Sequence, residues 1–117
     1  MPLRILRNGH DLVARGWTQG SDARDRNNDP VHPWSADARS WSILGALICG
    51  DETHQGRVPI DQLALAAVIL AGALDARSLV KWNDEPGRVQ ADAVAAFDAA
   101  IASAVERHES QVRHSSA

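Results

Sequence analysis

The sequence predicts a mainly α protein: a single domain of four principal helices, with a polar loop or short β-hairpin between helices 1 and 2. Apolar residues make up 44% of the 117-residue chain and aromatic residues only 4%, with Ala, Leu and Val predominating. This composition favours close-packed helices over a β-sandwich. Helical periodicity recurs along the chain, and the length is that of one domain with its own core.

The first helix is predicted over Leu3–Arg15. Apolar residues recur on one of its faces, and Gly16 follows as a stop signal. The Asn8-Gly9 pair inside this segment is a turn signal, which leaves a later start of the helix as an alternative.

Residues 17–34 are polar and aperiodic, which predicts a loop or a short hairpin. Asn27, Asn28 and Asp29 favour a tight reversal. Ala23–Asp25 would then pair with Pro30–His32, as an edge strand because proline lacks the amide proton.

The second helix is predicted over Ala36–Cys49, with Ser35 as its N-cap, Asp37 in its first turn and Gly50 as its stop. Its last half is apolar on nearly every side, which is typical of a buried helix.

The third helix is predicted over Ile60–Leu74, opened by Pro59. Apolar residues cover most of its circumference, so we expect it to be largely enclosed or to pack against a second copy of the chain. Its uncharged run is shorter than the roughly 20 residues of a membrane span. One further helical turn is predicted from Ser78 to Trp82.

Lys81–Arg88 combines a large aromatic residue, a polar pair and a Pro-Gly turn. Asn83 and Asp84 can bond their own backbone, and Gly87 permits a positive φ, so a specific turn is predicted. We expect Trp82 to anchor this turn to the core.

The last helix is predicted over Gln90–His108, because apolar residues recur there at steps of three and four. Residues 109–117 are polar and aperiodic, which predicts a disordered tail after a helical domain of residues 1–108.

The charge and the cysteine content restrict the function. The formal net charge is −3, whereas phosphate binding needs a basic surface, so a nucleic-acid partner is disfavoured. The sole thiol, Cys49, lies in an apolar run, which indicates a reducing compartment and hence the cytoplasm. Polar residues follow the first basic residues where an export signal would be apolar, so no such signal and no membrane partner are expected.

A metal site and a cofactor are not expected. Asp25, Asn27 and Asp29 match the first, third and fifth positions of a calcium loop, but Pro30 and Ala36 occupy its sixth and twelfth positions. A polar turn explains this segment better. The nearest approach to another cluster is Asp51, Glu52 and His54, which a solvated loop explains equally well.

Nucleophilic catalysis would require Ser42 or Cys49 with a base and an orienting group. His32 or His54 and Asp84 are the candidates for these roles. Both nucleophiles fall inside the predicted second helix and away from its N-terminus, which favours a structural role.

Trp17, Trp34, Trp41 and Trp82 stand at the boundaries of predicted elements. They would close the core at its ends, or, where two or more are half exposed, mark a protein-binding surface. Arg24 and Arg88 would supply the polar side of that surface or pair with Asp22 and Asp84. The candidate binding residues are Trp17, Asp22, Arg24, Asp25, Trp34, Trp82, Asn83, Asp84 and Arg88.

Three motifs resemble a family of small uncharacterised bacterial and phage proteins of unknown function. They are Gly16-Trp17-Thr18-Gln19-Gly20, Ser40-Trp41-Ser42-Ile43-Leu44-Gly45-Ala46-Leu47 and Trp82-Asn83-Asp84-Glu85-Pro86-Gly87-Arg88. The resemblance implies that these stretches form one fold, and it implies no reaction. The family has Cys where this chain has Ser42, and a capping Thr where it has Val89. Asp92 would then favour the last helix through its charge alone.

These observations predict a non-enzymatic cytoplasmic accessory or regulatory protein that binds another protein, with a homodimer as one option. The alternative is a small enzyme whose polar site forms where the 17–34 loop meets the Trp82–Arg88 turn. Convergence of the polar side chains in a cleft would favour the enzyme, and bonding to the backbone of their own loops would oppose it.

Overall fold

The computed structural model describes residues 2–50 and 60–115. Helices dominate this part of the chain, which confirms the mainly α prediction. The elements in order are α1 (Pro2–Arg15), β1 (Ala23–Arg24), β2 (Ser40–Trp41), α2 (Ile43–Cys49), α3 (Ile60–Leu74), α4 (Leu79–Asn83) and α5 (Gln90–Ser115).

Helix α1 lies at the centre of the fold, where it packs against α2, α3 and α5. Its buried face meets Phe97 of α5, which is fully buried. The helix runs without a break through Asn8 and Gly9. A Cβ atom on Gly9 would lie 2.6 Å from the Phe97 ring, so this glycine allows close helix packing and does not form a turn.

The two strands pair antiparallel, with Ala23 opposite Trp41 and Arg24 opposite Ser40. The predicted local reversal is also present, because Arg24 and Pro30 form an antiparallel bridge. Val31 N also donates to Ala23 O at 3.0 Å, so the predicted pairing with Pro30–His32 is formed in part. The pairing of β1 with β2 on its other side was not predicted. Sequence periodicity could not find this pairing, since each strand is only two residues long.

Helix α2 begins at Ile43, so the predicted start at Ala36 is wrong. Ser35 closes a turn instead, in which Ala38 N donates to Ser35 O (3.0 Å). The backbone of Ser40–Trp41 is used for strand pairing and is unavailable to a helix. Ser42 is the true N-cap, since its Oγ accepts from Gly45 N at 3.0 Å.

The corrected helix start can be tested with two serines. Ser42→Ala is expected to lower the free energy of unfolding by about 1 kcal/mol, because the helix loses its N-cap. Ser35→Ala, which removes a bond only to Asp37 N in an exposed turn, should cost less. Urea unfolding of both variants gives the comparison, and a larger loss for Ser35→Ala would contradict the assignment.

Helix α3 has the predicted bounds, Ile60–Leu74. Pro59 and residues 51–57 lie outside the described part of the chain. Ala66, Ile69 and Leu70 are buried against the core, whereas 44% of Leu65 and 60% of Val68 are exposed. The expectation that α3 is largely enclosed within one chain is therefore wrong for this outer side.

Helix α4 starts after Ser78, whose side chain accepts from Lys81 N at 3.2 Å, as predicted. The following turn has Gly87 at φ +87°, also as predicted. Helix α5 continues to Ser115, so the predicted end at His108 is too early. The polar residues beyond His108 gave no periodic signal to extend it.

The start of α5 corrects one expectation drawn from the family resemblance. Asp92 was expected to act through its charge alone, but its Oδ2 accepts from Val89 N at 2.9 Å. This is half of a capping box: the bond back to the cap residue is kept although the capping hydroxyl is absent.

Candidate functional site

The Trp82 turn and the 17–34 loop meet around the side chain of Asn83, which is fully buried. Its Oδ1 accepts from Trp17 Nε1 at 2.7 Å and from Ile43 N at 3.0 Å. Its Nδ2 donates to Thr18 O at 3.0 Å. We call these contacts the Asn83 network. The sequence predicted that Asn83 bonds the backbone of its own turn, but its side chain instead joins two distant segments, residues 17–18 and Ile43.

Further hydrogen bonds connect the Trp82 turn to the 17–34 loop. We call this contact between the turn and the loop the joint. Gln19 Nε2 donates to the backbone oxygens of Asn83 and Glu85, both at 2.9 Å. The carboxylate of Asp84 accepts from Gly20 N at 2.9 Å and from Asn83 Nδ2 at 3.1 Å. The predicted meeting of loop and turn is therefore present, and most of its polar groups bond the backbone of the opposite segment.

Arg24 and Arg88 donate hydrogen bonds to groups within their own loops. Arg24 donates to Thr18 Oγ1 at 3.0 Å and to the backbone oxygens of Gln19 and Asn28. Arg88 Nε donates to Trp82 O at 3.0 Å, and its guanidinium lies 3.9 Å from the centre of the Trp82 ring. The alternative pairing of these arginines with Asp22 and Asp84 is not formed.

Asp25 closes the reversal predicted at residues 27–29. Its Oδ1 accepts from Asn27 N at 2.9 Å and from Asp29 N at 3.0 Å. The carboxylate thus bonds its own loop, as in the polar-turn interpretation. Nowhere in residues 2–50 and 60–115 do three His, Cys, Asp or Glu side chains gather closely enough to hold a metal ion.

A small cleft of about 280 Å³ opens beside the joint. Its lining residues are Gly20, Ser21, Asp22, Ser42, Val80 and Asp84. Ser42 lies at a helix start, contrary to the prediction, but its Oγ accepts the capping bond and only 6% of the residue is exposed. The candidate base His32 packs against Trp34 instead, with ring centroids 4.1 Å apart and the ring planes tilted by 36°. His54 lies outside the described residues.

The four tryptophans differ in their burial. Trp41 is buried, and its Nε1 donates to Pro33 O at 3.1 Å. Trp17 and Trp82 are half-buried and pack against the core. Trp34 is the exposed one, at 40%. Trp17, whose Nε1 donates to Asn83 Oδ1, and Trp82, which carries the Arg88 guanidinium over its ring, belong to the loop–turn contact, so Trp34 is the tryptophan that presents its ring most openly.

Trp34 is held in one position although it faces solvent. Its Nε1 donates to Ile48 O of α2 at 3.1 Å, and the ring of His32 packs against its ring. It borders an open cleft of about 430 Å³. We call this surface the Trp34 face; its residues are Ser21, Asp22, Pro30, Val31, His32, Pro33, Trp34 and Ile48.

Asp22 borders both clefts. Its backbone oxygen accepts from Ser42 N at 3.0 Å. Its exposed carboxylate forms no hydrogen bond or ion pair within the described part of the chain. Asp22 is therefore the member of the predicted set whose charge remains available at the surface.

Several residues of the Trp34 face and of the contacts around Asn83 were not identified from the sequence. Pro30 and Pro33 were not assigned to a binding surface, His32 was considered only as a strand residue and a candidate base, and Ile48 only as part of a buried helix. The one available signal was the position of Trp34 directly after a His-Pro pair, which gives a stiff aromatic segment. Thr18 and Gln19 could not be linked to Asn83, more than sixty residues away, from spacing.

Comparison with known proteins gives one family match. A family model described as a family of unknown function (DUF6197) matches residues 1–103. No curated protein and no solved structure matches the chain. In the part of the chain that is described, each helix is too short or too polar to cross a bilayer.

Proposed function

The chain belongs to the DUF6197 family of unknown function, and we propose that it is a non-enzymatic accessory protein that binds another protein through the Trp34 face. The observation that carries this proposal is the exposed but fixed ring of Trp34. Tryptophan is the residue type most enriched among interface hot spots, and a held side chain loses little entropy on binding.

The scaffold beneath this face supports the proposal. Trp34 is tied to α2, and α2 is tied to the joint through Ile43 N and Asn83 Oδ1. The buried Trp41 donates a hydrogen bond from its Nε1 to the backbone oxygen of Pro33, the residue before Trp34. These bonds fix the loop that carries Trp34 and preorganise the surface, which lowers the cost of association.

The chemistry of the face indicates the kind of partner. Its floor is apolar, formed by two prolines, Val31 and the His32–Trp34 ring pair. Aromatic clefts of this kind suit extended, proline-rich or aliphatic segments. The carboxylate of Asp22 at its edge favours a basic side chain. We therefore propose an extended segment that combines apolar and basic residues.

The enzyme alternative has less support. Its observation is the cleft beside the joint, which the carboxylates of Asp22 and Asp84 both border. Asp84, however, is exposed and bonds the opposite backbone, and Ser42 is used as a helix cap.

Arg24, Asp25 and Arg88 bond the backbone of their own loops, the outcome expected to oppose catalysis. Asn83 and Asp84 instead bond the opposite segments, where they hold the fold.

The single cysteine supports a cytoplasmic location, and the acidic net charge supports a protein as the partner. A single cysteine fits a reducing cytoplasm of a bacterium or phage host. A net charge of −3 favours a protein partner over a nucleic acid.

A peptide-display library screened against the purified protein tests the proposal. The wild type is expected to enrich peptides that combine Pro or aliphatic residues with Arg or Lys. Trp34→Ala should weaken binding of the selected peptides by about tenfold or more, because it removes a hot-spot side chain. Val89→Ala, at a residue 54% exposed and outside this face, serves as the control.

The same screen separates the role of Asp22 from that of Trp34. Asp22→Asn should reduce the preference for basic residues, whereas Asp37→Asn, in an exposed turn, should leave it unchanged. Circular dichroism melting confirms that each variant is folded. Equal affinity of wild type and Trp34→Ala for the selected peptides, or no enrichment at all, would remove the proposed surface.

A further inference from the structure

We propose that the outer side of α3 is a self-association face, through which two copies of the chain pair with their α3 helices antiparallel. This inference is independent of the Trp34 face. The outer α3 stripe consists of Ala64, Leu65, Val68 and Gly72, all exposed, together with the partly exposed Ala71.

The stripe is an apolar surface on a helix that is apolar all round. Between Asp61 and Asp75 the helix has no charged residue. Its inner residues Ala66, Ile69 and Leu70 are already buried in the core. Helices without a polar face are normally enclosed on every side, so a second partner is needed for the outer side.

Gly72 indicates separately that another helix packs closely against the outer side of α3. It lies inside the last turns of α3, where glycine is less favourable than alanine. A Cβ atom built on Gly72 would meet nothing within 4 Å, whereas the glycines of α1 and α2 are each pressed against a neighbouring group. No packing within the described chain explains this glycine, but close approach of another helix does.

The order of side chains along the stripe favours a second copy over an unrelated helix. The large Leu65 lies three residues before Val68, and the small Ala71 and Gly72 lie three and four residues after it. A two-fold axis through Val68 of both copies places each Leu65 over the open space at Ala71 and Gly72 of the partner. The face is therefore complementary to itself in the antiparallel arrangement.

The charges at the ends restrict the geometry. Antiparallel pairing directs Asp61 of one copy towards Asp75 of the other, and like charges repel. A crossing angle of about 50°, the commonest for helix pairs, separates the ends while the centre stays in contact. One helix face also buries less surface than a standard interface, so a weak, concentration-dependent dimer is expected.

The apolar surface continues beyond α3 at Leu65. This residue also borders a groove of about 300 Å³ that is lined by the apolar Pro2, Leu3, Ile69 and Ala104 and, at α5, by Arg107 and His108. The groove widens the contact on either side of the two-fold axis and adds apolar area to it.

Sedimentation velocity from low micromolar to near-millimolar concentration tests the proposal. The wild type should shift from monomer to dimer across this range. Val68→Glu is expected to raise the dimer dissociation constant by about tenfold or more, since two carboxylates would meet on the axis. Val89→Glu, the same change at a residue 54% exposed outside the stripe, should leave the constant unchanged.

A cysteine at the axis tests the register. Under mild oxidation Val68→Cys should form a disulfide-linked dimer much faster than wild type or Val89→Cys, because only residue 68 faces its own copy. A wild type that stays monomeric at every concentration would overturn the proposal. Dimerisation that Val68→Glu leaves intact, or that Val89→Glu also abolishes, would overturn the assigned face.

Discussion

Replacing Asn83 with Ala is expected to lower the free energy of unfolding by about 3 kcal/mol or more. The change leaves the buried amide of Ile43, the indole of Trp17 and the carbonyl of Thr18 without their partner. Each unsatisfied buried polar group costs about 1–3 kcal/mol. Loss of a buried network is one of the few mechanisms that give such large effects.

Urea unfolding followed by circular dichroism measures the loss without relying on Trp17 fluorescence. Asn27→Ala is the matched control, because Asn27 is exposed and its backbone N, not its side chain, bonds Asp25. We expect the control to change stability by less than about 0.5 kcal/mol. A loss below about 1 kcal/mol for Asn83→Ala would mean that the network does not hold the loop and the turn together.

Gly45→Ala is the second substitution with a large expected effect, and its sign opposes helix propensity. In an ordinary helix interior this change stabilises by about 1 kcal/mol. Here the new methyl group would collide with the carbonyl oxygen of Asp22 and lie 2.8 Å from its carbonyl carbon. Because this neighbour is backbone fixed by its bond from Ser42 N, we expect a loss of about 3 kcal/mol.

Gly72→Ala provides the control for the same substitution in a helix. The Cβ of residue 72 would meet no atom within 4 Å, so in dilute solution the variant should be more stable than wild type by about 0.5–1 kcal/mol. Thermal unfolding of both variants at low protein concentration gives the comparison. Stabilisation by Gly45→Ala would show that α2 does not pack against the Asp22 backbone as described.

Helices with strong local signals could be predicted from the sequence. The bounds of α3 and the cap of α4 were correct, because an uninterrupted apolar run and Ser78 are local features. The start of α2 was missed because Ser35 and Asp37 imitate a helix N-terminus. Residues 40–41 form strand β2 instead of helix. The pairing of this strand depends on β1, at residues 23–24, and not on local sequence.

The candidate site was predictable only in part. The composition of the 17–34 loop and the Trp82 turn indicated polar contacts between them, and the structure brings them together. The role of Asn83 was not predictable, because its partners come from two segments that are distant in the chain, residues 17–18 and Ile43. The exposure of Trp34, in contrast to that of Trp41, depends on tertiary packing, and both residues look alike in sequence.

The indole signals of the four tryptophans in a ¹H–¹⁵N spectrum test the central claim most directly. The spectrum is recorded with and without the peptide selected by the wild-type protein. We predict that the signal of Trp34 shifts while those of Trp17 and Trp41, whose Nε1 groups bond Asn83 and Pro33, stay in place. Shifts of Trp17 and Trp82 with Trp34 unchanged would contradict the claim and place the ligand at the joint.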